Sequence, residues 1–485
     1  MYCKNNSEEV KSNSLKNVLR PLDAWSLILI FISLIFLLIA IKFSAILQYL
    51  FPSLSLIVGI FLFSKYPPYY LSFTMWIWFL SPLVSRIVEQ QNGWVDPKFR
   101  LIILAPYLVT MVSSITFISY APKSAKKDAF PYILALSGLV YALLIGTVRG
   151  FSMMNVIERF LSWCPGIFLG IHILATYHLF PEYKKNISNT FSWAVLVMGT
   201  YGIIQYLTPL QWDYFWLSNA ENLQSCCGWP DPWSIRVWST LNFPFTFAYS
   251  MIACLLVLFE RRGNQTFLSL SVGIVAFLLS RVRGAWIGYT VGLLTIFTTA
   301  KQSQQLRLIS TILVLILSLY PIVTATPLSD SVMSRLQTLT NASEDNSLAI
   351  RSQIYQDLLD EILPNLVGRG MGSPKIIDAG LLDFLGTLGW IGAMPVAIGI
   401  LLIFYTVFYK ANAGFDSFIG TSRAISLGIF ITIPFNNPLL LLPGTLFWTF
   451  AAFAMAGQKY YENRCLLQPT EQLNNRIRNN QREEY

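Results

Sequence analysis

Apolar runs of about 17–22 residues recur from Trp25 to Gly457, and this recurrence leaves few folds open. About 20 such residues cross a bilayer as a helix. In hydrocarbon every backbone polar group must be satisfied internally, so only helices and closed barrels can span it. Charged residues make up 12% of the 485 positions, where a soluble domain carries about 25%. Fourteen candidate spans follow: 25–41, 45–63, 68–84, 99–119, 130–148, 160–180, 189–208, 240–259, 265–281, 283–299, 307–324, 380–409, 421–433 and 438–457. The turn at 42–44 and the break at 434–437 are the weakest boundaries. The expected fold is an all-α polytopic integral membrane protein with about 12–14 transmembrane helices. One membrane domain, 24–457, would sit between polar cytoplasmic tails at 1–23 and 458–485, either disordered or lipid-facing. Neither an internal repeat nor an inverted pair of broken spans, as many transporters have, is visible. The first run lacks a small-residue cleavage site, so no cleavable signal peptide is expected.

Threading these spans with the N-terminus inside places Lys123, Lys126, Lys127, Lys184, Lys185, Arg261, Arg262, Lys301, Arg307 and Lys410 in the cytoplasm. That agrees with the positive-inside rule. Arginine departs from it. Arg86, Arg100, Arg149, Arg159, Arg236, Arg281, Arg283, Arg335, Arg351 and Arg369 all fall outside. A guanidinium is a planar fork suited to phosphate, whereas an ammonium is a point charge. An arginine-rich outer face therefore suggests a phosphate-bearing ligand; the plain alternative is snorkelling to lipid headgroups.

The sharpest concentration of charge is Ser280-Arg281-Val282-Arg283-Gly284, set between two apolar runs with no room for a long loop. A cation at membrane depth costs roughly 2.5–3.5 kcal/mol or more and usually marks an anion site or a polar cavity. Tryptophans cluster at 209–238, as at a membrane interface. The longest extracytoplasmic loop, 325–378, contains an amphipathic pattern: Ile350, Ile354, Tyr355, Leu358, Leu359, Ile362 and Leu363 repeat at helical spacing between Ser347, a plausible N-cap, and Pro364. Such a helix would lie on the surface or roof a cavity, with Arg351 on its first turn. After it, Gly368, Gly370 and Gly372 alternate and would allow tight bends or close approach to a ligand. Asp383 falls inside the following span and is a functional candidate for that reason. Of the six cysteines, only Cys226-Cys227 faces the oxidising side. Adjacent cysteines seldom pair, and this pair is assigned no role.

These signatures, in this order, resemble the O-antigen ligase and polymerase superfamily of bacterial surface-polysaccharide assembly. Arg236-Val237-Trp238-Ser239-Thr240-Leu241-Asn242-Phe243-Pro244 is similar to the family's R-x-x-S/G-T-F-x-N-P segment. Ser280 through Gly288 resembles S-R-G-A-W-L-G with a two-residue insertion or a shifted arginine. Arg351, with Pro364 through Gly372, resembles R…P-x-x-G-x-G, and Asp378 through Gly392 resembles H/D-N-x-Y-L…G-x-I-G. The likeness covers roughly 236–392, about a third of the chain.

The resemblance implies a glycosyltransferase of the plasma (inner) membrane, active on its extracytoplasmic side. The donor would be a glycan on polyprenyl pyrophosphate. The acceptor would be a second lipid-linked glycan or a lipid such as lipid A–core. Other polysaccharide-assembly proteins are candidate partners, and no nucleic acid is involved. Arg236, Arg281, Arg283 and Arg351 would clamp the pyrophosphate, and Asp378, with Asp383 second, would act as general base. Asp378 could equally cap the helix that follows. Ligases of the family carry histidine and asparagine where Asp378 and Ala379 stand; His172 and His178 both lie in a span ending inside. A carboxylate base, and a polymerase or another exopolysaccharide enzyme rather than a strict ligase, are thus favoured. No metal-ligand spacing is visible, and neither metal nor other cofactor is expected. The alternative function is a multi-span carrier of a small anion or a lipid-linked intermediate.

Overall fold

A computed structural model describes residues 21–96, 100–124, 128–220, 224–261, 264–299, 302, 305–306, 308–313, 355–356, 359–374, 379–410 and 416–483. Among these residues every regular element is helical. The helices are α1 (Pro21–Ala40), α2 (Leu47–Lys65), α3 (Pro67–Asn92), α4 (Ala105–Met111), α5 (Ser114–Ser124), α6 (Phe130–Val148), α7 (Met153–Trp163), α8 (Pro165–Ala175), α9 (Phe180–Leu207), α10 (Gln211–Asn219), α11 (Gln224–Cys227), α12 (Pro244–Leu258), α13 (Asn264–Leu279), α14 (Arg283–Thr299), α15 (Gly380–Phe404), α16 (Ser417–Phe430) and α17 (Leu441–Glu483).

Most expected spans coincide with one of these helices, and 130–148 and 283–299 coincide end to end with α6 and α14. Seven are long and apolar enough to cross a membrane, or eight if α7 and α8, bent by 41°, count as one. The expectation of 12–14 exceeds this because α12, α13, α14 and α16 run for only 15, 16, 17 and 14 residues. At 1.5 Å per residue each falls short of the roughly 30 Å hydrocarbon core. The 99–119 run is interrupted, with a turn at 112–113 between α4 and α5. The expected span 307–324 is described only at 308–313, which is helical. Over the expected C-terminal tail, α17 continues as helix to Glu483. Large apolar side chains lie uncovered on the outside, among them Ile30, Phe36, Tyr49, Ile118, Leu144, Val148 and Leu401. Such a surface suits a lipid environment and would be a liability in water.

Small residues let these helices meet backbone to backbone, the usual device where no hydrophobic force drives helices together. A Cβ on Gly138 would lie 2.2 Å from Gly392 O, and one on Gly399 would lie 2.5 Å from Pro131 O. α6 and α15 are therefore antiparallel. In the same way Gly288 meets Gly428 and Gly292 meets Ala424, so α14 and α16 are antiparallel. The N-termini of α14 and α15 and the C-termini of α6, α13 and α16 consequently share one end.

Among the described residues the two ends carry different ion pairs. At the shared end the cation is arginine: Arg86–Asp213, Arg100–Glu89, Arg159–Asp383 and Arg369–Glu361. At the opposite end it is lysine: Lys184–Asp416 and Lys459–Asp128. There too Glu260 accepts from the hydroxyls of Ser417 and Thr421, both at 2.7 Å. Burial pushes the Glu260 carboxyl above its usual range. Reporter fusions are expected to read as extracytoplasmic at Gly150, in the turn between α6 and α7, and as cytoplasmic at Arg261, after α12. Both reading on the same side would invalidate the threading.

Candidate functional site

The shared end is assembled around a buried polar strut. Arg86, fully enclosed on α3, pairs with Asp213 on α10 at 3.1 Å and donates to Ser239 O at 2.7 Å. Tyr201 donates to the other Asp213 oxygen, and Gln205 Oε1 accepts from the amides of Trp238 and Ser239. A buried charge is tolerated only when paired and hydrogen-bonded in this way. The strut belongs to architecture. It fixes the extended stretch 235–238, which lies against the end of α13 through Val237 N–H donating to Leu279 O.

Three arginines then gather at the break between α13 and α14. Arg236 donates from Nε to Ser280 O and from Nη2 to Arg281 O, both at 3.4 Å. These carbonyls lie just past the C-terminus of α13, where a cation also favours the helix dipole. Arg281 takes the left-handed conformation with φ 55°. Glycine usually fills that place, and a side-chain-bearing residue there is strained, as is common at functional sites. Its guanidinium lies 3.4 Å from both Tyr206 Oη and Trp233 O. Arg283 opens α14. Thr240 Oγ1, Asn242 Oδ1, Thr246 Oγ1 and Trp286 Nε1 are buried and have no hydrogen-bond partner among the described residues. All four belong to the segments flanking the arginines. An unpaired buried polar group costs about 1–3 kcal/mol, so such a set requires a reason.

Asp383 lies one turn into α15 and is 3% exposed. Arg159 Nη2, from α7, donates to both of its oxygens at 2.7 Å, and Asn437 Nδ2 donates to Oδ2 at 2.8 Å. Its position in the first turn adds the favourable end of the helix dipole. A carboxylate engaged in this way has its lone pairs committed to cation and amide. Its evident work is to tie α7, α15 and the 431–437 segment together.

That segment is the hub of the region. A Cβ on Gly284, next to Arg283, would meet Phe435 at 2.9 Å. A Cβ on Gly380 would lie 2.3 Å from the carbonyls of Ile433 and Asn436. Tyr355 donates to Pro434 O at 2.7 Å. The turn at 431–437 thus brings the arginine break and the start of α15 to one place. Helix is present at 359–362 and ends at a turn over 363–364, as Pro364 requires. Ile362 packs with Ala379 and Leu382, so this piece covers the head of α15.

The glycine-rich stretch packs closely against neighbouring helix backbone. Gly368, Gly370 and Gly372 have φ of 77°, 79° and 87°. α15 is broken at Gly389, where φ is 61° and ψ 176°. The break frees the carbonyls of Gly386 and Thr387, which accept from Arg369 N and Gly370 N at 2.7 and 3.0 Å. In exchange Ile391 N donates to Leu366 O, and Met371 N reaches Ala142 O on α6. The loop is a wedge seated between α6 and α15, supplying partners to Gly386 O, Thr387 O and Ile391 N at a helix interruption that lipid would penalise. The three positive φ values are bends of the tight kind that glycine allows, and they seat the loop against its neighbours.

Arg236, Arg281 and Arg283 are thus brought together. Asp383 is close to them through the 431–437 hub but is occupied, and Arg351 and Asp378 lie outside the described residues. Sequence reasoning missed Asn437 and the role of Arg159. The available signal was Asn436-Asn437, two amides interrupting an apolar stretch. Among the described residues no group of three or more His, Cys, Asp or Glu side chains could hold a metal ion. No protein-family model and no curated protein sequence matches this chain.

Proposed function

We propose that this chain is a lipid-linked glycan transferase at the outer face of the bacterial plasma membrane, polymerising or ligating oligosaccharide carried on polyprenyl pyrophosphate. The observation that carries this reading is the gathering of Arg236, Arg281 and Arg283 at one helix break, with buried polar atoms in the adjoining sequence segments that have no partner among the described residues. In the reaction the acceptor hydroxyl oxygen attacks the anomeric carbon, the bond from that carbon to the pyrophosphate oxygen breaks, and the hydroxyl proton passes to a carboxylate. Fixed cations in a low-dielectric cleft favour the charge growing on the departing pyrophosphate. Arg281 and Arg283 serve this step, with Arg351 completing the clamp and Arg236 holding the helix end. Asp378 is the base, because Asp383 is engaged by Arg159 and Asn437.

A broken helix is also a mark of carriers, which makes the Gly389 break the one observation favouring the alternative. Against that reading, the Gly386 and Thr387 carbonyls at the break already accept from the chain's own loop. The test is deletion of the gene, inspection of surface glycans by gel, and complementation with Arg281→Ala, Arg351→Ala and Asp378→Ala. Short glycans with accumulating lipid-linked units are expected in all three. Normal glycans with altered anion uptake would replace the transferase by the carrier.

A further inference from the structure

We infer that Cys226 and Cys227 form a reversible disulfide with each other. The inference rests on the outer-end placement used above, because an oxidising compartment is required.

The two Sγ atoms are 2.9 Å apart, compared with 3.7 Å for the sulfur contact between Cys164 and Met111 elsewhere in the chain. Packing presses them together. Cys227 is fully buried among Trp216, Leu217, Ile235 and Trp238, and Cys226 lies against the same cluster, half-exposed. Cys164 and Cys254 are buried among the membrane helices, so neither competes as a partner.

Formation is an exchange with an oxidised dithiol of the outer compartment, either a small disulfide or a disulfide-bearing oxidoreductase. The more exposed Cys226 thiolate attacks one sulfur of that disulfide, forming a mixed disulfide and releasing one thiol. The Cys227 thiolate then attacks Cys226 Sγ, closes the new bond and releases the second thiol. Two electrons and two protons leave the pair and reduce the oxidant. Neighbouring Cα atoms stand only about 3.8 Å apart, less than the roughly 4.4–6.8 Å usual for a disulfide. Such a bond is strained and easily reduced, which makes it a switch rather than a staple.

The switch has something to act on. Cys227 O accepts the backbone N–H of Arg236 at 2.8 Å. Gly228 follows at φ 82°, and a Cβ there would meet Ser234 O at 2.4 Å, so the 228–236 turn has little slack. Closing the disulfide pulls the last residues of α11 out of helical shape, and the Cys227 carbonyl moves with them. The redox state of the pair thereby sets the backbone position of Arg236.

The experiment uses full-length protein in native membranes, acid-quenched, denatured and alkylated with a maleimide before and after reduction, with the 226–227 peptide read by mass spectrometry. The expected result is an unalkylated peptide, lighter than the dithiol by two hydrogens, that takes two maleimides after reduction. A peptide alkylated twice before reduction overturns the proposal. A Cys227→Ser variant separates this from failure of the orientation: Cys226 should then react with a membrane-impermeant maleimide on intact cells. If it reacts only after lysis, the outer placement and the disulfide fall together. Mild reduction should change the rate of glycan assembly in wild type and leave Cys226→Ser/Cys227→Ser unchanged; equal responses would remove the coupling to Arg236.

Discussion

Asp383→Ala is expected to destabilise the fold by about 3 kcal/mol, the lower end of the range for removing one partner of a buried ion pair. The lower end applies because the Arg159 side chain is 25% exposed, so water can recover part of the loss. Two donors are stranded at once, the Arg159 guanidinium and the Asn437 amide. The readout is the unfolding midpoint of the detergent-purified protein. Arg159→Ala should cost a similar amount, since it leaves a carboxylate at 3% exposure with only Asn437. The double variant should cost clearly less than the two singles combined, because coupled partners are not additive. Additive losses would mean that the ion pair does not form. Asp383→Asn separates structure from chemistry. If it kept the midpoint near wild type yet abolished glycan assembly, Asp383 would have to be moved from a positioning role to that of a base.

Gly370→Val attacks the wedge and should be at least as damaging. At φ 79° a side chain pays roughly 1–2 kcal/mol for the left-handed conformation. The new Cβ would also lie 2.5 Å from Gly146 N. Backbone cannot rotate away as a side chain can, so about 1–3 kcal/mol of overpacking is added. If the loop is expelled, the carbonyls of Gly386 and Thr387 lose their donors in the middle of a helix. The expected outcome is loss of the monodisperse species on size exclusion and rapid degradation in cells. Gly150→Ala is the control, since a Cβ there meets nothing within 4 Å although φ is also positive, 74°. A Gly370→Val protein as stable as that control would show that the wedge is not seated.

The candidate site was partly legible in the sequence, and the legible part has a common cause. Arg281 and Arg283 stood out because charge between two apolar runs is expensive whatever surrounds it. The alternating glycines stood out because of what glycine permits, but what they pack against was not legible, since the helix break lies about twenty residues further on, at Gly389. Neither phosphate binding nor snorkelling, the two readings the sequence offered for the arginines, anticipates internal ion pairs, which four of them form. Arg86, Arg100, Arg159 and Arg369 each have a carboxylate partner, while Arg236 and Arg281 turn toward backbone carbonyls and a tyrosine.

By itself the sequence determined that the chain is helical, apolar in long runs, and asymmetric in where it puts lysine and arginine. Those properties follow from local free energies: hydrocarbon demands satisfied backbone, and charge avoids it. Only the tertiary structure decided which charges are neutralised. Arg159 and Asp383 are 224 residues apart, and Asn437 lies 54 beyond. Pairing at such separations is set by which helices pack and at what height along their axes, and glycine-to-backbone contacts fix that height without leaving any mark in hydropathy.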